Sequence, residues 1–411
     1  MNALDALYAL PPLAAAAGWL TLRRRALDRW LPGYLASFRS RGIPDTSAPV
    51  HLLLCVADHY EPRLGGAKDH VAWQRVARWT GQYPRLFSEF RDSDGRPPRH
   101  TFFYPVEDYQ SDLIDALTPL CRAGFGEVEV HLHHDRDTAA NLRDTLLAAR
   151  DLLSDRHGQL ARDRRSGQVR YGFIHGNWAL ANSCPGGRWC GVDGELGVLQ
   201  ETGCYADFTL PSAPSRAQTR TVNRIYYADC GSRRRRPHDR GHSVGPGAPP
   251  HDSLMLVQGP LLLNWTRRKW GVLPRVENGC LQGNQPPSLE RMRLWLGARV
   301  QVAARPDWFF VKLHTHGASE VNMPVLLGEP MIQFHRDLAR LAAENPDFRY
   351  HYVTAREMYN LIRAAADGWQ GGIAEARDYE LVWNGGRSSQ HGPAQTTGTA
   401  PHNAIPVPSM P

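Results

Sequence analysis

The chain has 411 residues, 42% of them hydrophobic and 22% charged, a balance that excludes a wholly disordered protein and fits a folded globular one. Much of its net charge of +7 sits in two short runs, residues 23–25 and 233–236, with no basic stripe interleaved with aromatics, so a nucleic-acid partner is not expected. Seven cysteines with no Cys-x-x-Cys pair argue against a disulfide framework and a thiolate zinc site. They read as buried thiols in a reducing cytoplasm, although Cys184, Cys190 and Cys204 are close enough in sequence to pair on oxidation.

Residues 1–48 read as an N-terminal helical segment. Within it residues 7–20 are apolar but carry Pro11 and Pro12, and 14 residues are too few for a bilayer crossing of about 20. Arg23, Arg24 and Arg25 follow directly, an order that suits peripheral contact of residues 7–25 with the cytoplasmic face of the inner membrane, or a helix docked on the domain. From residue 49 to about 370, short apolar runs alternate with longer amphipathic stretches. Strands are predicted at residues 51–56, 101–104, 127–133, 169–174, 254–257 and 308–314; helices at 71–90, 112–122, 139–153, 324–343 and 354–366. Such alternation predicts a parallel-stranded α/β fold, a (β/α) barrel or a distorted, incomplete, seven-stranded form of one. Residues 175–290 break the pattern and are expected to form irregular functional loops. Within them 232–250, carrying four consecutive arginines, is expected to be a mobile surface loop. The Gly/Ser/Pro-rich tail, 385–411, is expected to be disordered.

Ligands of parallel α/β folds gather where strands end in loops, so the chemistry is expected at the predicted strand ends. The first runs into Asp58, His59 and Glu61, and the second into Glu107 and Asp108. The third alternates Val128, Val130 and Leu132 with Glu129, His131 and His133, then continues through His134, Asp135 and Asp137. The fourth ends at His175, Gly176, Asn177 and Trp178, and the last at His314 and His316. So many imidazoles and carboxylates at strand ends predict a metal or catalytic site. Trp178, Tyr205 and Trp308 are candidates for stacking on sugar rings, Asp207 for orienting a histidine, and Arg275, Glu277, Asn278, His238 and Asp239 for a polar rim.

Four stretches in this order resemble the NodB-type polysaccharide deacetylases of carbohydrate esterase family four: LLCVADHYEP at 53–62, Thr101-Phe102-Phe103, GEVEVHLHHDRD at 126–137 and FVKLHTHG at 310–317. The resemblance covers about residues 50–140 and 305–320 and leaves the middle third unaccounted for. It implies a metal-dependent hydrolase that removes acetyl groups from an N- or O-acetylated poly- or oligosaccharide, with zinc as the divalent ion. Two positions depart from the family pattern. Asp58-His59 stands where the family has two aspartates, and Asp137 stands where it has a second histidine; that exchange keeps a mixed nitrogen and oxygen site. On this resemblance His59, His133 and Asp137 hold the metal, Asp58 is the general base and His314 or His316 the acid. Asn177, the backbone near Gly176 or the metal stabilises the oxyanion, and Glu61, His131, His134, Asp135, His175, Trp178, Tyr205 and Asp207 are further ligands or lining. Two other readings stand beside it. One is a glycoside hydrolase using Asp58 with Glu61 or Asp207; the other is an inactive saccharide-binding relative. Oligomeric state is open.

Overall fold

Side chains of a strand alternate between its two faces, so the layer that each residue meets follows from its parity. The computed structural model describes residues 18–20, 22–40, 49–383 and 385. Helix α1 (Leu27–Ser40) precedes β1 (Val50–His59), α2 (Asp69–Phe87), β2 (His100–Pro105), α3 (Ser111–Leu120), β3 (Gly126–Leu132) and α4 (Ala139–Asp151). Then come β4 (Ala161–Asp163), β5 (Val169–His175), α5 (Glu195–Thr202), β6 (Cys204–Asp207), β7 (Ile225–Asp229), β8 (His242–Ser243) and β9 (Ser253–Val257). The hairpin of β10 (Leu262–Lys269) and β11 (Leu273–Glu277) leads to α6 (Leu289–Gly297), β12 (Trp308–Thr315), α7 (Met323–Leu326) and α8 (Glu329–Glu344). The series closes with β13 (Phe348–Tyr352), α9 (Ala355–Ala366), α10 (Ile373–Ala376) and β14 (Leu381–Val382).

The main sheet runs β12-β1-β2-β3-β5-β6-β9-β7-β8, parallel as far as β9, with β7 and β8 antiparallel. Strand β13 pairs with residues 50–54 of β1, and β2 with residues 57–59. The result is a large, mostly parallel sheet with helices, as the alternation predicts. A closed barrel is not seen: the strand order ends at β12 and β8. Along the second edge of β12 lie irregular segments, where Leu281 N–H donates to His314 O at 2.8 Å.

One face of the sheet carries Leu52, Leu54, Val56, Phe102, Val128 and Val130, packed against helices such as α2, whose Ala72, Val76, Trp79, Tyr83 and Phe87 recur at helical spacing. The opposite face carries Leu53, Cys55, Ala57, Phe103, Ile174 and Phe310 and is filled by α9. Every residue of α9 from Ala355 to Ala366 except Tyr359 is buried, and a Thr354–Glu357 capping box starts the helix. Its two arginine and glutamate positions are satisfied at the N-terminal ends of the strands. Arg356 forms a bidentate pair with Glu127 (3.0 and 2.8 Å), while Glu357 pairs with Arg99 and Arg377. Burial alone raises the pKa of Glu357, but Arg99, Arg377 and Arg356 outweigh it and hold the carboxyl at about 2. A depressed carboxyl stabilises the fold above its unfolded pKa, so that contribution is expected to fade as pH falls from about 4.5 towards 2. Acid unfolding followed by circular dichroism should show a Glu357→Gln variant less sensitive over that window than the parent.

Residues 175–290 are less irregular than expected, since besides the predicted strand that becomes β9 they supply β6 and β7 to the main sheet. The loop expected at 232–250 is largely exposed, but Arg236 at the end of the arginine run is docked: it donates to the carbonyls of Gln218 (2.6 Å) and Arg216 (3.1 Å), and His238 beside it is fully buried. Its guanidinium fork satisfies loop carbonyls, a use of arginine that composition does not reveal. Residues 1–17 and 386–411 lie outside the described residues, and with them most of the predicted membrane-surface segment and tail. Helix α1 itself docks, burying Trp30 and Tyr34 and pairing Arg29 with Asp239 at 2.7 Å. Among the described residues no helix is long and apolar enough to cross a membrane.

Candidate metal centre

The parity that buries Leu53, Cys55 and Ala57 on the inner face carries His59 to the same face at the C-terminal end of β1. On β12, Phe310 shares that face, and so do His314 and His316. Register places Ala57 opposite His314, which brings His59 beside His316, their rings stacked at 4.8 Å. His131 leaves β3 on the same side, its ring 4.9 Å from that of His59. Three of the predicted clusters therefore meet at one mouth.

Within it, one ligand atom each from His59, Glu61 and His131 lies within 4.8 Å of the others. His131 Nδ1 donates to Ile174 O at 2.9 Å, and its Nε2 faces Glu61 Oε1 at 3.1 Å. A ring nitrogen and a carboxylate oxygen so placed repel unless a proton or cation lies between them. His59 Nε2 and Glu61 Oε2 are buried without a hydrogen-bond partner. Ligands about 2.1 Å from a tetrahedral ion stand about 3.4 Å from one another, so the trio fits a divalent cation with little movement. The Ile174 carbonyl already holds the His131 tautomer that such a role needs. Burial, and then the neighbouring His316, His131 and His314, push His59 well below its usual pKa and keep it in the neutral, ligating form.

His133 stands at the open side, its side chain 26% exposed, with Nδ1 2.6 Å from Glu107 Oε1 and Nε2 3.2 Å from Glu61 Oε1. Both ring nitrogens face carboxylates and both carry protons. Burial opposes this charge, but the bonds to Glu107 and Glu61 win and raise the pKa to about 10. Its ring packs on the backbone of Gly176, where a Cβ would come 2.3 Å from the imidazole. Burial lowers the pKa of both His314 and His316, and the buried His314 Nδ1 has no hydrogen-bond partner. Trp178 walls the group, its ring 4.5 Å from that of His59 and 5.1 Å from that of His314.

No family model and no curated protein matches the chain. The chemistry therefore rests on the site itself.

Several expected roles are not supported by where the residues stand. Asp58 is adjacent to His59 and so points to the opposite face, into the helix layer. There Oδ1 accepts Gly317 N–H and Oδ2 lies 2.8 Å from His100 Nε2. It is fully buried, and a Cβ on Gly317 would fall 1.9 Å from Oδ2. A general base must reach the reacting water; Asp58 instead positions the turn that carries His316. Asp137 does not join His59 and His133: its Oδ2 is 3.1 Å from His134 Nδ1, and its Oδ1 caps Thr138 N–H at 2.7 Å. Asp135 is exposed and accepts Trp189 N–H, and Asn177 lies in a left-handed turn with φ 52°. Tyr205 is a core residue donating to Glu129 Oε1 at 2.6 Å, and Trp308 is fully buried, so neither offers a face to a sugar. Asp207 is held by Thr209 Oγ1 at 2.7 Å, and burial raises its pKa to about 7. Glu277 pairs internally with Arg291 at 2.7 Å, and Asn278 is tied to Ala213 O, so these are not a substrate rim. His175 and His134 belong to a separate cluster. A cleft lies between α1 and the N-terminal ends of β1 and β12, and no histidine lines it.

Sequence reasoning gave Glu107 no role, although its position after β2 marked it. It also missed His100, whose only signal was a histidine opening a buried strand.

Proposed function

We propose that this chain is a metal-dependent hydrolase that removes an acetyl group from an N- or O-acetylated saccharide, with His59, Glu61 and His131 holding a zinc-type ion. The observation that carries the reading is the buried trio His59, Glu61 and His131, one ligand atom of each within 4.8 Å of the others, with His59 Nε2 and Glu61 Oε2 unpartnered and His131 Nδ1 anchored on Ile174 O. Such an ion supplies Lewis acidity to the acetyl carbonyl and to an attacking water. His316, kept neutral by burial, accepts the water proton. His133, protonated and oriented by Glu107, donates a proton to the departing amine or hydroxyl at the open side. Trp178 flanks the same opening and gives a sugar ring an apolar surface. In this reading the curled sheet is an incomplete (β/α) barrel, with the segments at Gly279 and Leu281 standing where a closing strand would.

The glycosidase alternative needs two carboxylates on either side of one bond. Asp58 faces the helices and Asp207 is engaged by Thr209, so neither pairs with Glu61 across the mouth. Zinc-reconstituted protein incubated with acetylated oligosaccharides is expected to release acetate in proportion to bound metal and to generate no reducing ends. New reducing ends, or no acetate at full metal occupancy across N- and O-acetylated substrates, would overturn the proposal.

A further inference from the structure

A second set of ligating atoms lies beside the mouth. His134 follows β3, His175 ends β5 one residue beyond the inward Ile174, and Cys190 and Glu195 come from the loop into α5. One donor atom from each of the four lies within 4.8 Å of the others. His175, Cys190 and Glu195 have no exposed surface, and the His134 side chain is 7% exposed.

Hydrogen bonding orients these donors. His175 Nδ1 donates to Gly176 O, so Nε2 carries the lone pair; it has no hydrogen-bond partner and sits 3.4 Å from Glu195 Oε1. A buried imidazole lone pair aimed at a carboxylate oxygen calls for a cation between them. His134 approaches the same oxygen, its Nε2 3.1 Å from Glu195 Oε1, while its buried Nδ1 stands 3.1 Å from Asp137 Oδ2 without a hydrogen bond. Cys190 Sγ lies 3.5 Å from Glu195 Oε2, and Ala181 N–H binds that second oxygen at 2.5 Å, while Oε1 faces both imidazoles.

We propose that His134, His175, Cys190 and Glu195 form a structural zinc site, distinct from the mouth. Two imidazoles, a thiolate and a carboxylate suit zinc rather than magnesium or calcium, and four enclosed protein donors are the pattern of a structural site. The mouth, by contrast, has three donors, with the partly exposed His133 and His316 beside them. Binding releases the thiol proton, and any second proton on His134, to solvent. The loop that the ion pins needs such a clamp. Between β5 and α5 the chain forms short 3-10 turns with Asn177, Trp178, Ala181, Asn182 and Trp189 all at positive φ, and this loop carries Trp178 to the mouth. One thiolate without a Cys-x-x-Cys partner also explains why cysteine spacing gave no sign of zinc.

Cobalt spectroscopy on the full chain tests this independently of the hydrolase reading, because the mouth trio contains no sulfur. Metal-free protein titrated with Co²⁺ is expected to bind two equivalents, one of them with a near-ultraviolet thiolate-to-cobalt charge-transfer band. Cys190→Ser should lose the band and one equivalent, Glu61→Gln should keep the band and lose the other, and Cys184→Ser should keep both. Cobalt-saturated parent protein without the band overturns the proposal, and so does a band that survives in Cys190→Ser. The parent spectrum decides the matter even if Cys190→Ser does not fold.

Discussion

Glu61→Gln is expected to lower acetate release by about a hundredfold or more and to empty the mouth of metal. Loss of partners that merely orient a ligand costs about 10–100-fold, and loss of a ligand itself should match or exceed the upper figure, about 2.7 kcal/mol of barrier. Glu61 Oε1 stands 3.1 Å from His131 Nε2 and 3.2 Å from His133 Nε2, so in the proposed function a single carboxylate would both complete the metal trio and charge the proton donor. An amide keeps the shape and removes the charge. His133 retains Glu107 at 2.6 Å and the fold should persist, as a melting curve will show. Asp58→Asn is the contrasting variant. It perturbs His100 and the Gly317 turn, so it should lower the melting temperature and leave mouth metal content unchanged by elemental analysis. If Glu61→Gln keeps full activity, or Asp58→Asn loses the metal, the assignment of faces at the end of β1 is wrong.

Arg356→Met is expected to destabilise the chain by about 3–5 kcal/mol, a large share of a typical stability of about 5–15 kcal/mol. Arg356 is 3% exposed. It donates twice to Glu127, which is 4% exposed, and once to Leu381 O at 2.8 Å, joining α9 to β3 and to the C-terminal strand. Its removal leaves Glu127 buried with only Arg99 nearby, at 3.9 Å. Most of the cost is that orphaned carboxylate rather than the pair itself, so Glu127→Met combined with Arg356→Met should recover much of the loss. Urea midpoints for the parent, both single variants and the double variant will show it. A double variant as unstable as the sum of the singles would mean that the two residues act separately. Metal binding at the mouth should survive in every folded variant, because this network lies at the N-terminal ends of the strands.

The sequence by itself determined the strand–helix alternation and the strands that bring histidine to the site. It also determined the faces of β3: Val128, Val130 and Leu132 lie against the helices, and His131 lies with the polar set. These are local properties, set by period two and by where apolar runs stop. The same period, applied at the end of β1, would have separated Asp58 from His59. The likeness to a two-aspartate motif obscured that. Strands β6, β7 and β13 were invisible, because their few residues mix aromatic, acidic and basic side chains and owe their pairing to neighbours already in the sheet.

Only the tertiary structure decided the partners of the ionisable groups. His133 and His134 are consecutive, yet one turns to Glu61 and Glu107 while the other turns to Asp137 and Glu195. That division depends on loops separated in sequence by as many as 72 residues, as for His133 and Glu61. A charge taken out of water must find its counter-charge wherever the fold brings one, and no local pattern records where that is. The chain's histidines at strand ends were therefore legible as a supply of ligands; their sorting into a trio and a quartet was made by the packing of the loops around them.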